Sequence, residues 1–188
     1  MLNRRKFLRF SLGMGAALAA APALARVAPR VAPRVALPPA TGERVLSFYI
    51  THTGEHTRAT YWADGEYVAS ELVTLDRLLR DFRSGEVAVM DRRLFDILYN
   101  LQQLTAASGT FQVISGYRSP ATNAQLRAHS SGVARNSLHI RAQAIDIRLT
   151  GVELRDLHRA ALALRAGGVG YYPSSDFVHV DTGRVRAW

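Results

Sequence analysis

The sequence predicts an α+β fold: a single domain with a largely antiparallel sheet flanked by helices. Three observations predict it. Strand-like runs cluster along the chain instead of alternating strictly with helices. An Asp64-Gly65 pair between two aromatic-rich runs marks a hairpin turn. The segment 43–188 has the length of one ordinary core, in a chain that is 48% hydrophobic overall.

The elements follow in order. "RVLSFYITHTG" and "TRATYWADGEYVA" read as strands, the second folded back at Asp64-Gly65. Thr74 is placed to cap a helix through "LDRLLRDFR", with Gly85 to end it. In "DRRLFDILYNLQQLTAAS" the residues Leu94, Ile97, Leu98, Leu101 and Leu104 form a helical stripe closed by Gly109. "TFQVISGYR" reads as a strand and Ser119-Pro120 as a helix start. "AIDIRL" is a strand, "VELRDLHRAALALRAG" a helix, and "GVGYYP" with "FVHVD" a closing strand pair.

The chain opens with a basic start containing paired Arg4 and Arg5, an apolar Ala- and Gly-rich run, and Ala23-Leu24-Ala25. That is a signal-peptide pattern over residues 1–25, with the arginine pair suggesting the twin-arginine route into the periplasm. The apolar run is shorter than the ~20 residues of a spanning helix, so no stable membrane span is expected after cleavage. Residues 26–42 repeat Val-Ala-Pro-Arg and contain Pro38-Pro39, a semi-rigid extended tether. Seven of the 24 basic residues (Arg4, Arg5, Lys6, Arg9, Arg26, Arg30 and Arg34) lie in these two segments, leaving 17 against 15 acidic ones. The net charge of +9 therefore belongs to the leader and tether, and a nucleic-acid groove is not expected. There is no cysteine, which excludes disulfides, a lipoprotein anchor and thiolate metal sites; any transition metal must be held by His and carboxylate.

"SLHIRAQAIDI" places a histidine and an aspartate, His139 and Asp146, in an otherwise apolar stretch where each is costly to bury alone. Strand alternation puts Ala144, Asp146 and Arg148 on one face and Ile145, Ile147 and Leu149 on the core face. In "FVHVD" it puts Phe177, His179 and Asp181 together, opposite Val178 and Val180. Pairing the two strands would set Asp146 beside His179. His139 has the wrong parity for a straight strand, so a bend at Arg141 to Gln143 is needed to bring it in. A satisfied core pair and a two-histidine, one-carboxylate zinc set with an open fourth position both fit this spacing. In the second, the ion would lower the pKa of a water to roughly 7. His52 and His56 flank Gly54, His129 sits in a polar loop and His158 lies on an amphipathic helix; structural or exposed places suit them better.

"SGYRSPATN", "SLHIRAQAID" and "GGVGYYPSSDFVHVDTGRVRAW", with "THTGE" at Thr51 to Glu55, resemble the zinc D-alanyl-D-alanine peptidases of the LAS group, most closely the exported murein endopeptidase branch. The resemblance runs from about Glu43 to Trp188. It implies a hedgehog/D-Ala-D-Ala peptidase-like fold and one zinc ion on His139, Asp146 and His179. It further implies hydrolysis of the peptide cross-links of peptidoglycan. Where the group's H-x-x-G-x-A-x-D pattern has glycine, this chain has Ala142.

A general base must still take a proton during attack on the amide. Asp176 stands three residues before His179, as the acidic base does in the group's Glu-x-x-His arrangement, and is one methylene shorter. Asp181, with the parity of His179, is the competitor; its other place is behind a ligand, orienting it. Arg118, in "SGYRSP", is the candidate to hold the scissile carbonyl as charge develops. A wall-binding or zinc-stabilised protein without turnover, and a D-alanyl-D-alanine carboxypeptidase, are the alternatives. The expected partner is peptidoglycan, and a monomer is the expected state.

Overall fold

The computed structural model describes residues 42–130 and 132–188. The expected signal peptide and nearly all of the tether lie outside the described residues. Among these residues eight strands form one sheet: β1 (Arg44–Ile50), β2 (His56–Ala63), β3 (Glu66–Tyr67), β4 (Phe111–Ser115), β5 (Ala144–Leu149), β6 (Gly168–Tyr172), β7 (Phe177–Asp181) and β8 (Arg186–Ala187). Four α-helices accompany it among the described residues: α1 (Ala69–Leu78), α2 (Arg93–Thr105), α3 (Pro120–His129) and α4 (Leu154–Leu164).

The strand order is β3-β2-β1-β4-β5-β7-β6-β8. All neighbours are antiparallel except β1 with β4 and β6 with β8, so the sheet is mixed and largely antiparallel. One face is the core. Leu46 and Phe48 of β1, Tyr61 of β2, Phe111 and Val113 of β4, Ile145 and Ile147 of β5 and Val178 and Val180 of β7 are all at most 1% exposed. They pack under α1, α2 and α4. Alternation along each strand then leaves the opposite face of β5 and β7 to the polar residues.

Local signals explain most boundaries. Ser119 caps α3, its hydroxyl accepting from the Thr122 N–H at 3.2 Å, with Pro120 at the first position. Two expectations need correction. Thr74 does not begin a helix: α1 starts at Ala69 with no side-chain cap, and the Thr74 hydroxyl donates back to the Ser70 carbonyl at 3.1 Å. That helix ends at Leu78, before Gly85. Likewise α2 is closed by Ala106 in the left-handed region, not by Gly109. β8 is an addition that two residues gave no pattern to reveal.

Candidate metal centre

β5 and β7 are neighbours inside the sheet, fifth and sixth in the order, and their register sets Asp146 directly opposite His179. His139 comes from a 3-10 turn over Leu138–Arg141, which Ser137 opens by accepting from the His139 N–H at 3.4 Å. The turn closes at Ala142, whose φ of 54° and ψ of 31° are left-handed. The Ala142 and Gln143 amides donate back to the His139 and Leu138 carbonyls. This is the bend that the parity of His139 demands. It also explains the glycine of the family pattern: the position needs positive φ, which costs alanine about 1 kcal/mol.

The three side chains are buried, at 3%, 6% and 8% exposure for His139, Asp146 and His179. His139 Nδ1 lies 2.7 Å from the Gly116 carbonyl oxygen and must donate to it, leaving the Nε2 lone pair free. Gly116 is glycine because a Cβ there would sit 2.5 Å from the Leu79 carbonyl oxygen. His179 Nε2 donates to Asp181 Oδ2 at 3.1 Å, leaving Nδ1 free. The two free nitrogens and Asp146 Oδ1 face one another at 2.8 Å (His179 to Asp146), 3.2 Å (His139 to His179) and 3.3 Å (His139 to Asp146). Three acceptors held this close repel unless a cation sits among them. Tetrahedral zinc with bonds of 2.0–2.2 Å has ligand-to-ligand edges of about 3.3–3.5 Å, which this triangle approaches. Among the described residues these three form the group of His and acidic side chains that could hold a metal ion.

Without a metal ion the same cluster draws a proton into the cation's place, and an imidazole then donates to Asp146. Burial alone would raise the Asp146 carboxyl, but His139 and His179 outweigh it and hold it well below the ordinary carboxylate range. Burial would lower the His179 imidazole, and Asp146 and Asp181 outweigh it, raising it above the usual histidine value.

Asp181 is itself fixed. It is fully buried and receives Arg186 at 2.7 and 3.0 Å and the Gly168 and Gly183 amides at 2.9 Å each. A Cβ on Gly168 would collide with Asp181 Oδ2 and Arg186, so only glycine fits there. Burial pushes the Asp181 carboxyl up; His179, Arg186 and the two amides hold it far down. Arg118 lines the same cleft as the triad, with Nη2 donating to Ser115 Oγ at 3.2 Å and Nη1 to Asn123 Oδ1 at 3.3 Å. Its Nε has no partner, and among the described residues no carboxylate lies within 4.0 Å of it. Asp176 stands apart at the left-handed residue before β7, exposed, 3.1 Å from Arg148.

The cleft above the triad encloses about 230 Å³ and is lined by Arg118, Ser137, His139, Asp146, Tyr172, Phe177, His179, Arg186 and Trp188. A larger groove of about 1210 Å³ runs past Thr53, Arg77, Arg80 and Val89, away from any such cluster. The sequence reading missed the wall of the cleft. Trp188 lies 5.3 Å from the His179 ring, with Arg186 over its face at 4.7 Å and its indole N–H donating to Tyr172 Oη at 2.7 Å. It also missed Arg186 as the partner of Asp181 and the Gly116 carbonyl behind His139. Three of the other four histidines have partners of their own: His52 stacks on Phe82, His158 stacks on Tyr171, and His129 bonds to the Gln125 carbonyl of its own helix; His56 is exposed at the start of β2.

A mixed sheet that presents a buried His-Asp-His group, a capped imidazole pair and an unpaired guanidinium to an open cleft has the build of a metallohydrolase. The family model described as peptidoglycan L,D-endopeptidase MepK, within the M15 peptidases, matches residues 38–188, and the chain belongs to that family. Peptidoglycan L,D-endopeptidase MepK of Escherichia coli K12 is 46% identical over 145 residues, 77% of this chain and 80% of the relative. The protein of the same name from Shigella flexneri matches equally. The probable peptidoglycan L,D-endopeptidase MepK of Haemophilus influenzae is 46% identical over 146 residues, 77% of this chain and 78% of its own length.

Proposed function

We propose that the chain is a zinc-dependent endopeptidase that hydrolyses peptide cross-links of peptidoglycan. The observation that carries this is the triangle of His139 Nε2, Asp146 Oδ1 and His179 Nδ1, with edges of 2.8–3.3 Å, facing a cleft beside Arg118. These three atoms would hold the zinc, which supplies Lewis acidity and an acidified water when bound. Gly116 and Asp181 fix the tautomers that present those lone pairs. Arg118 spends one hydrogen of Nη1 on Asn123 and one of Nη2 on Ser115, and keeps the other of each for a carbonyl oxygen gaining charge at the cleft; burial draws its pKa down and it stays a cation. Asp181 has no lone pair to spare and serves to orient His179. Asp176 is exposed and held by one surface pair, so it can turn from Arg148 toward the cleft and accept the proton.

The names of the relatives support an L,D bond as the one cut. Residues 1–25 as leader, 26–42 as tether and 43–188 as the peptidase domain are part of the proposal, and the family match over residues 38–188 takes in the whole of that last segment. Export to the periplasm, by the twin-arginine route if Arg4-Arg5 is read as its signal, is part of the proposal; no helix among the described residues is long and apolar enough to cross a membrane. The test is to incubate the zinc-loaded chain with purified sacculi and identify the released muropeptides. Release of cross-linked dimers as monomers by scission at an L,D bond, abolished by a chelator and restored by zinc, is expected. Release of terminal D-alanine alone would make it a carboxypeptidase, and binding without products a wall-binding protein.

A further inference from the structure

The register of the sheet builds a second row of side chains beside the ligand row. Ser115, Asp146, His179 and Gly170 pair in sequence across four strands. Two residues along β5 from Asp146, on the same face, Arg148 pairs with Gln112, which pairs with Tyr49, which pairs with His56. Phe177 and Tyr172 pair on the far side of β5, also two residues from His179 and Gly170. The two rows run about 7 Å apart, the reach of a substituent on the substrate residue next to the bond being cut. None of these second-row residues is fully buried.

Arg148 is the cation of this row. Among the described residues its Nε is buried with no hydrogen-bond partner, and its one ion pair is Nη1 to Asp176 Oδ2 at 3.1 Å. The two side chains are 36% and 61% exposed, so the pair is weak and open to exchange. Nε is enclosed, so the guanidinium meets solvent through its Nη end; a second carboxylate docking there end-on would take Nη1 and Nη2 together, where Asp176 pairs with Nη1. Peptidoglycan stem peptides supply such groups, because their diamino diacid and γ-linked glutamate keep free carboxylates off the main chain.

We infer that Arg148 is a specificity-determining residue that binds a free carboxylate of the substrate peptide in place of Asp176. The inference rests on the reading of the chain as a peptidoglycan peptidase. It links recognition to chemistry: the incoming carboxylate takes the guanidinium, and Asp176 is released to accept a proton at the cleft. A peptide without that carboxylate leaves Asp176 tied to Arg148.

The test uses the zinc-loaded full chain and two synthetic cross-linked peptides. One carries a free carboxylate beside the scissile L,D bond, and in the other that group is a carboxamide. The carboxylate peptide is expected to show a kcat/KM about 10–100-fold higher, with much of the gain in KM. Arg148→Gln should treat the two alike, and Arg148→Lys should keep part of the preference. Asp176→Asn should bind the carboxylate peptide several-fold more tightly by calorimetry while cutting it more slowly, because the internal competitor is gone. Equal KM for both peptides in the wild type, or a preference that survives Arg148→Gln, would overturn the inference. Should the Gln variant misfold, the Asp176→Asn affinity decides it. A chain that cuts neither peptide would sink the peptidase reading instead, and the calorimetric affinities of the two peptides would still decide for or against Arg148.

Discussion

Asp76 and Asp146 are equally buried, at 6% exposure each, yet they sit in opposite kinds of surroundings. Asp76, on α1, receives Arg92 through two bonds of 2.6 and 2.8 Å and the Met90 amide at 2.9 Å. Every partner is a donor, and the charge is cancelled on the spot. Asp146 faces two imidazole nitrogens whose own hydrogens are spent elsewhere, on the Gly116 carbonyl and on Asp181. Its neighbours are acceptors, and nothing in the protein neutralises them together. Burial is the same; the sign of the surrounding groups separates a closed ion pair that ties segments together from a site that selects a cation.

The contrast breaks most visibly in substitution. Asp146→Ala, like His139→Ala or His179→Ala, should abolish stoichiometric zinc and lower activity by more than about 10³-fold, measured by metal analysis and muropeptide release. Asp76→Asn should leave zinc bound and cost about 2–3 kcal/mol of stability in denaturant titration, because Arg92 loses its counter-charge while keeping some access to water. Zinc retained by all three ligand variants, or lost from Asp76→Asn, would erase the distinction.

A second test sharpens it among the carboxylates nearer the cleft. Asp176→Asn should keep zinc and lower kcat by about 10²–10⁴-fold. Asp181→Asn should weaken zinc affinity by about 10–100-fold, with activity partly restored by added metal, since it acts through His179. The assignment fails if the zinc-loaded Asp181 variant is inert and the Asp176 variant is rescued by zinc.

The smallest effect concerns Asp81, a closed site built only from neutral donors. Burial pushes its carboxyl up, and hydrogen bonding from Thr122 and from the Ser119 and Arg83 amides outweighs that, leaving it at about 2. A folded-state value below the unfolded one near 3.9 adds stability above about pH 4 that is lost as pH falls through 2. About 1–2 kcal/mol should disappear from the unfolding free energy over that window, and Asp81→Asn should flatten it. An unchanged slope in the variant would remove Asp81 as the cause.

Much of the site was legible because strands have period two. Alternation in "AIDIRL" and "FVHVD" is enough to face Asp146 toward His179, and the odd offset of His139 is enough to require the bend that Ala142 makes. The illegible parts are those without a side-chain signature. The Gly116 carbonyl that sets the His139 tautomer is backbone, and β8, which carries Arg186 to Asp181, is two residues long. Thr74 misled because a hydroxyl that can cap a helix can equally bond to the turn before it, and α1 began at Ala69 without any cap.

The pairing of Asp146 with His179 has a consequence for a chain that must not cut prematurely. A slip of β7 by one residue against β5 would turn His179 and Asp181 into the core and offer Val178 and Val180 to the cleft. Such a molecule would have no ligand triangle, and His139, seven residues before Asp146 in the chain, would face a wall of methyl groups. The hydrolytic centre is thus a checkpoint on strand alignment: partly folded or misaligned copies carry the whole sequence of a wall-cutting enzyme and none of its danger.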